Sequence, residues 1–315
     1  MSANSFQQRA RALARRAVGD RWKLAKSALY APALMRSRAN PLVRAGVSIL
    51  GPDESIDLLV DSDKSLARFG DGELELIMGV GGPRFQRGSS GLAERLREVL
   101  NSSRSDLMLG LTHCLVETAG VTEHERLWWG DFVRRHGRQL AREIPSRRTF
   151  LDTMLTRPYI PHDDVDQAME RFGRLRQLWA GRDVLFVEGV YSRSGIGNDL
   201  FDDAASITRL IGPPSDAFDH LEEIAAATEE LGRDRLVLTS LGPTATVLAH
   251  DVSAAGIRCV DIGHLDMEYM WARIGRGRVP LPGRLVNEIA QQAPLDLAPE
   301  QAELHASQVA GRIGA

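Results

Sequence analysis

Short apolar segments alternate with segments of helical periodicity after Pro41, and this alternation constrains the fold more than any other feature. The run "DVLFVEG" at 183–189 is continuously apolar, as expected for a strand buried on both faces of a sheet. Other strands are predicted at "SLARFG", "SDLMLGLT", "RTFLDTML", "SITRLIGPP", "DRLVLTSLG" and "IRCVDIGH". The pattern predicts an α/β protein with a mostly parallel sheet and helices on both faces.

The chain divides into three predicted parts. Residues 1–48 form a basic helical N-terminal arm, 49–278 the α/β domain, and 279–315 a peripheral C-terminal tail of loop and helix. The 315 residues suffice for one large core without disulfide bonds. Cys114 and Cys259 have no metal-binding or redox spacing and are expected to be buried small side chains in a reducing compartment.

Charge is concentrated in the arm. Residues 1–44 contain ten Arg or Lys residues and one acid, Asp20, so this segment is near +9 and the remainder near −12. One interpretation is a helix lying on an anionic membrane surface; the other is a solvated or partner-packed arm. No aromatic-basic platform follows, so nucleic acid is not an expected partner.

No apolar run reaches the roughly 18 residues that span a bilayer, and no apolar segment follows the basic N-terminus as in a secretory signal. We therefore expect a cytoplasmic protein, with peripheral contact at the inner face of the cell membrane through residues 1–44.

Polar and glycine residues recur just past the predicted strands, where open α/β sheets bind ligands. Asp71 and Glu73 follow "SLARF". If the turn is extended, both carboxylates point to one side and could bind Mg²⁺ or Mn²⁺, which favour hard oxygen ligands. The alternative is that Asp71 caps the next helix while Glu73 complements its dipole.

Two further segments could bind phosphate. In "SRSGIGND", Gly195 and Gly197 free the backbone N–H groups and Arg193 adds charge, although an ordinary glycine loop explains the pattern equally well. In "LGPTAT", Thr244 lies at a predicted helix N-terminus, which can bind an anion or be capped by threonine alone.

The segment "DIGHLDMEYMW" brings several titratable residues together. If it is extended, His264, Asp266 and Glu268 share one side; if it is helical, His264 and Glu268 share a face. Either geometry offers a general base or another metal ligand.

Four segments together carry a family resemblance, because their order and spacing are specific where each alone is not. They are "RFGDGE", "FVEGVYSRSGIGNDLFDDAASITRLIGPPSDAFD", "LGPTATVLAHD" and "DIGHLDMEY". They resemble the GT-D-type glycosyltransferases, a family first catalogued as a domain of unknown function that builds bacterial surface glycans and glycoproteins. The resemblance covers about residues 50–275.

The resemblance implies a Rossmann-like fold, a nucleotide-sugar donor (a UDP-sugar) and Mn²⁺ or Mg²⁺ bound by a D-x-E motif at Asp71 and Glu73. His264, Asp266 and Glu268 would line the reaction centre with that pair. Many family members carry a glutamate at the position of Met270. The residues expected to contact the nucleotide are Arg68, Arg193, Gly195, Gly197, Asn198, Asp199 and Thr244.

The predicted function is metal-dependent transfer of a sugar to a glycan, glycoprotein or lipid-linked acceptor in cell-surface glycan synthesis. Two alternatives use the same phosphate site: a nucleotide-binding module without turnover, and a metal-dependent phosphohydrolase.

Overall fold

The computed structural model describes residues 31–146 and 148–315. Within these residues nine strands form one sheet, and every neighbouring pair is parallel. The strands are β1 (Ser48–Ile49), β2 (Ser65–Phe69), β3 (Leu107–Leu111), β4 (Thr149–Asp152), β5 (Asp183–Gly189), β6 (Ser206–Gly212), β7 (Leu236–Ser240), β8 (Cys259–Asp261) and β9 (Val309–Arg312).

The strand order is β1-β4-β3-β2-β8-β7-β5-β6-β9. From β2 the chain builds β3 and β4 on one side, then crosses over to build the other half, and β8 returns to lie beside β2. Ligands of open α/β sheets bind where the strand order reverses in this way. We call the segments that follow β2 and β8, residues 70–73 and 262–264, together with the ends of these two strands, the central edge.

Helices cover both faces of the sheet. The described residues form α1 (Pro32–Met35), α2 (Pro41–Ala45), α3 (Pro52–Val60), α4 (Asp71–Met78), α5 (Ser90–Asn101), α6 (Glu123–Glu143), α7 (Val165–Leu175), α8 (Leu221–Gly232), α9 (Pro243–Ala254), α10 (Leu265–Ile274) and α11 (Pro299–Gln308). Helices α4, α5, α6, α8 and α9 pack on one face, and α3, α7 and α10 on the other.

Strand β5 shows why the apolar runs become central strands. Leu185 and Val187 belong to the core on one face, while Val184 and Phe186 belong to the core on the other. Alternate side chains of a strand point to opposite faces, so a strand covered on both sides must be apolar at every position. The predicted α/β fold, with a mostly parallel sheet and helices on both faces, is confirmed.

The predicted N-terminal arm lies only partly within the described residues. Residues 1–30, which hold most of its charge, lie outside them. Of the rest, Met35 and Leu42 are buried in the core, and β1 pairs with β4. The boundary predicted at residue 48 therefore falls inside β1. Residues 31–48 pack as part of the domain.

The prediction of a peripheral C-terminal tail is wrong. Leu281 and Val286 are fully buried in the core, as is the side chain of Arg284. Strand β9 pairs with β6 and extends the sheet by one strand. The tail is integral because it covers buried loops and supplies hydrogen bonds to a sheet edge.

No helix in the described part of the chain combines the length and the apolar character that crossing a membrane demands.

Candidate active site

Arg68 ties together three segments at the central edge. Its Nε donates to the Asp261 backbone carbonyl and its Nη2 to Asp261 Oδ1, both at 2.9 Å. Its Nη1 donates to Thr156 Oγ1 at 2.7 Å, in the turn after β4. Gly263 leaves room for this guanidinium, since a Cβ there would lie 1.9 Å from Arg68 Nη2. Arg68 is predicted to contact the nucleotide, but all three of its guanidinium nitrogens donate hydrogen bonds to acceptors within the protein.

Asp71 and Glu73 occupy the first turn of α4, so the helical alternative holds rather than the extended turn. Residues two apart in a helix do not face each other, so the argument that both carboxylates point to one side no longer holds. Glu73 Oε2 accepts the Gly70 backbone N–H at 2.8 Å, which satisfies a donor at the helix start. Glu73 thus lies in the first turn as the alternative expected, whereas the N-cap residue is Gly70 and not Asp71.

Burial raises the pKa of Glu73 to about 7, and the negative charge of Asp261 adds to the rise. The Gly70 hydrogen bond and the charge of Arg68 oppose it. Burial also raises the pKa of Asp261, against the opposing charge of Arg68. Two carboxyl groups with raised pKa values beside one arginine make the central edge a candidate for binding positive charge.

A preformed metal centre is not part of this arrangement. In residues 31–146 and 148–315, no group of three or more His, Cys, Asp or Glu side chains lies close enough to hold an ion. Over the same residues the Asp71 carboxylate makes no hydrogen bond or ion pair. Asp71 and Glu73 offer hard oxygen donors suited to an open Mg²⁺ or Mn²⁺ site that substrate phosphates complete. To share one ion, their side chains would have to converge.

Asp266, which is buried near the start of α10, accepts hydrogen bonds from the loop 190–199. Asp266 Oδ1 accepts the Gly195 backbone N–H at 2.8 Å and the Asn198 side-chain amide at 2.7 Å. Arg284 Nε donates to Asp266 Oδ2 at 2.8 Å. The Gly195 N–H and the Asn198 amide are therefore engaged within the protein rather than free to cradle phosphate.

Other predicted nucleotide contacts are also engaged within the protein. Arg193 Nη1 donates to the Gly283 carbonyl at 3.0 Å, and burial lowers the pKa of Arg193. Asp199 accepts the Tyr269 hydroxyl at 2.9 Å. Thr244 is fully buried, and its hydroxyl donates to Gln86 Oε1 at 3.2 Å.

Gly197 has a positive φ of 80°, but a Cβ there would lie 2.7 Å from Gln301 Nε2. Helix α11 therefore approaches this part of the loop, and a side chain at residue 197 would displace Gln301 and adopt a backbone conformation that favours glycine.

Glu268 is fully buried on α10 and accepts hydrogen bonds from three donors. Arg157 Nε donates to Oε1 at 3.1 Å, while the backbone N–H groups of Tyr159 and Ile160 donate to Oε2 at 3.1 and 2.8 Å. A carboxylate so fully satisfied holds the segment after β4 in place. Its lone pairs are not available to accept a proton from a substrate.

His264 lies at the central edge immediately before α10, and its side chain is 31% exposed. Its Nδ1 lies 3.2 Å from Oε1 of Glu288. The segment turned out helical, so Asp266 points toward the 190–199 loop, while His264 and Glu268 lie one turn apart with different partners. The structure thus brings Arg68, Glu73 and His264 to the central edge, and gives Asp266 and Glu268 buried structural partners.

Sequence reasoning missed two residues of this region, Arg284 and Glu288, because the tail was predicted to be peripheral. The apolar pair Leu281 and Val286 is a signal that could have indicated a packed segment. His113, which follows the end of β3, is buried against Asp152.

Carboxylates, an arginine and a histidine lie at the carboxyl ends of the central strands, where open α/β sheets bind their ligands. The family model of the glycosyltransferase GT-D fold matches residues 66–289. The chain belongs to the GT-D family of glycosyltransferases, which confirms the resemblance found in the sequence. The match also extends beyond 278 and includes Arg284 and Glu288.

Individual relatives agree with this membership. Glycosyltransferase GlyD of Streptococcus pneumoniae serotype 4 is 37% identical over 230 residues, which cover 73% of this chain and 28% of that protein. This chain therefore spans less than a third of that relative's length.

Two solved structures are similar over most of this chain. The first, of domain of unknown function 1792, is described as a distinct glycosyltransferase fold; its TM-score is 0.79 at 33% identity, covering 88% of this chain and 99% of that one. The second is described as a new glycosyltransferase from Streptococcus sanguinis; its TM-score is 0.78 at 33% identity, covering 85% and 99%.

Proposed function

We propose that this chain transfers a sugar from a nucleotide-sugar donor, a UDP-sugar, to a hydroxyl group of a glycan, glycoprotein or lipid-linked acceptor in cell-surface glycan synthesis. The observation that carries the proposal is the composition of the central edge in a GT-D family member. Asp71 has no hydrogen-bond or ion-pair partner among the described residues, Glu73 has a pKa raised to about 7, and the side chain of His264, after the neighbouring strand β8, is 31% exposed.

Asp71 and Glu73 would hold Mn²⁺ or Mg²⁺, which when bound supplies positive charge beside the donor diphosphate. Both side chains lie at the carboxyl end of β2, next to the reversal in strand order where a nucleotide is expected. Their carboxylates are the only part of the D-x-E prediction that this proposal retains; the extended geometry is replaced by a helical turn.

The remaining residues of the site have two roles. Most of them hold backbone segments in position, and His264 accepts a proton. Arg68 fixes Asp261 and the turn at Gly263, so the residue that follows, His264, has a defined position. His264 accepts the proton of the acceptor hydroxyl as that oxygen bonds to the anomeric carbon. The bond from the anomeric carbon to the diphosphate oxygen breaks, and its electron pair leaves with the nucleotide. Asp266 and Glu268 position backbone segments around this reaction.

Turnover assays separate the proposal from the two alternatives. The protein is incubated with a panel of UDP-sugars and Mn²⁺, and released UDP and inorganic phosphate are measured separately. Glycosyl transfer predicts UDP release, slow with water and faster with an acceptor. Release of inorganic phosphate would indicate a phosphohydrolase, and binding without any release would indicate a nucleotide-binding module.

Variants locate the activity. Asp71→Asn and Glu73→Gln are each expected to lower UDP release by roughly a hundredfold or more, since charge stabilisation at a leaving group contributes on this scale. Glu94→Gln, on the exposed side of α5, makes the same chemical change away from the site and should leave the rate unchanged. Equal rates for Asp71→Asn and wild type at limiting Mn²⁺ would contradict the assigned site.

A further inference from the structure

His264 and Glu288 form a pair that belongs neither to the buried core nor to the free surface. Their side chains are 31% and 28% exposed, and Nδ1 of the imidazole lies 3.2 Å from Oε1 of the carboxylate. His264 directly follows Gly263, which packs against Arg68. The backbone of His264 is therefore placed at the central edge, and its Nδ1 lies within ion-pair distance of Glu288.

Glu288 is held in its charged form. Burial would raise its pKa, but the charges of His264, Arg157 and Arg278 outweigh burial and place the pKa of Glu288 below its usual value. Arg157 is itself anchored by Glu268 from α10. The carboxylate therefore remains ionised throughout the neutral range and can accept a hydrogen bond from the imidazole.

The second imidazole nitrogen faces away from this pair. Nε2 of His264 makes no hydrogen bond to any residue that the structure describes. When the neutral imidazole carries its proton on Nδ1 and Nδ1–H donates a hydrogen bond to Glu288, Nε2 keeps a lone pair. With Asp71 and Glu73 assigned to the cation, and with Asp266 and Glu268 saturated by buried donors, His264 is the remaining base of the site with an open acceptor.

We propose that Glu288 is a positioning residue that holds His264 in the tautomer whose Nε2 accepts the proton of the acceptor hydroxyl. This inference rests on the proposed glycosyl transfer and deepens it, because it assigns the tail a part in the reaction. The acceptor oxygen bonds to the anomeric carbon, the proton moves to Nε2, and the electron pair of the broken sugar–phosphate bond leaves on the nucleotide. The charge of Glu288 stabilises the imidazolium that forms, and a later base from solvent removes its proton.

The test compares Glu288→Gln and Glu288→Asp with wild type in UDP release with an acceptor present, as a function of pH. A glutamine can present its amide N–H to Nδ1, which moves the imidazole proton to Nε2 and removes the base. Glu288→Gln should lower kcat roughly a hundredfold, within the usual range for general base catalysis, with little change in the donor KM. Glu288→Asp keeps the charge and should recover part of the rate.

The acid limb of the pH–rate profile provides a readout that a purely structural role would not move. Glu288→Gln removes the carboxylate that lies 3.2 Å from the imidazole, so the acid limb of its profile should differ from that of wild type. Nitrogen NMR of the imidazole reports the tautomer without any substrate, and should show the proton on Nδ1 in wild type and on Nε2 in Glu288→Gln.

Glu303→Gln is the matched control, since Glu303 lies on an exposed position of the same tail. If Glu288→Gln has the same rate, pH profile and tautomer as the control and the wild type, the inference is overturned while glycosyl transfer stands. A wild-type protein that transfers no sugar would overturn the proposed function, and the tautomer measurement would then still decide whether Glu288 orients His264. If Glu288→Gln is poorly folded by circular dichroism, nitrogen NMR of the wild-type protein decides: an imidazole proton on Nε2 of His264 overturns the inference.

Discussion

His113 and Asp152 form a buried ion pair at the carboxyl ends of β3 and β4, with Nδ1 of the imidazole 2.6 Å from Oδ2 of the carboxylate. Burial alone would lower the pKa of His113, but the charge of Asp152 and its hydrogen bond outweigh burial and raise the pKa to about 11. Asp152 Oδ1 also accepts the His113 backbone N–H at 3.0 Å. The pair locks two neighbouring strand ends together.

This raised pKa makes stability depend on pH. A histidine that is protonated more readily when folded stabilises fully below its usual pKa of 6.5 and loses that contribution as pH rises toward 11. The free energy of unfolding should therefore fall across this window, by up to about 1.4 kcal/mol per pH unit. In His113→Gln, the slope from urea titrations at several pH values should be smaller. The exposed His124→Gln is the control, and parallel curves for His113→Gln and wild type would contradict the role of the pair.

Gly263 provides a test of the Arg68 packing at a single atom. Its φ of 47° favours glycine, and a Cβ would lie 1.9 Å from Arg68 Nη2. Gly256 also has a positive φ, of 81°, but nothing lies within 4 Å of its would-be Cβ. Gly256→Ala should lower the free energy of unfolding by about 1–2 kcal/mol for backbone conformation alone. Gly263→Ala should cost more and should also impair UDP release; equal losses in denaturant titrations would contradict the contact.

Among the elements, α10 and the loop 190–199 behave as one unit through Asp266. Asp266→Asn removes the charge that Arg284 and two donors of the loop share, and breaking a buried pair costs about 3–5 kcal/mol. The amide of Gly195 should then lose hydrogen-exchange protection even without ligand. Asp202→Asn, at an exposed position three residues beyond the loop, is the control. Unchanged protection at Gly195 would show that Asp266 does not hold the loop.

The elements differ in how far the sequence could predict them. Strands such as β5 are buried on both faces, so their apolar character alone identifies them. Strand β9, with the sequence "VAGR", has no such pattern and exists because β6 offers an edge to pair with. A strand stabilised by its neighbour rather than by its own burial leaves little local signal.

The site shows the same limit. The prediction placed Asp71, Glu73 and His264 at the carboxyl edge because strand ends are readable from the sequence. The prediction gave Asp266 and Glu268 roles in the reaction, because the sequence near them does not show that Arg284 and Arg157 lie against them. Their partners come from segments 18 and 111 residues away, so only the packed structure reveals that both carboxylates are saturated.

At the scale of the whole molecule, the basic charge of residues 1–44 predicts contact with an anionic membrane, where each Lys or Arg near the surface contributes about 1 kcal/mol. Replacing Arg9, Arg11, Arg15 and Arg16 with glutamine should abolish sedimentation with phosphatidylserine vesicles at physiological salt. UDP release in solution should stay the same. Equal sedimentation of both proteins would favour the alternative of a solvated or partner-packed arm.

The halves of the sheet meet at β2 and β8, and every functional assignment depends on a donor binding there. The most direct measurement is a crystal structure of the protein soaked with UDP and Mn²⁺. We predict electron density for the diphosphate at the central edge, with the ion bound to Asp71 and Glu73. Density for the nucleotide at another part of the sheet, with these two carboxylates unchanged and turned away from it, would contradict the account.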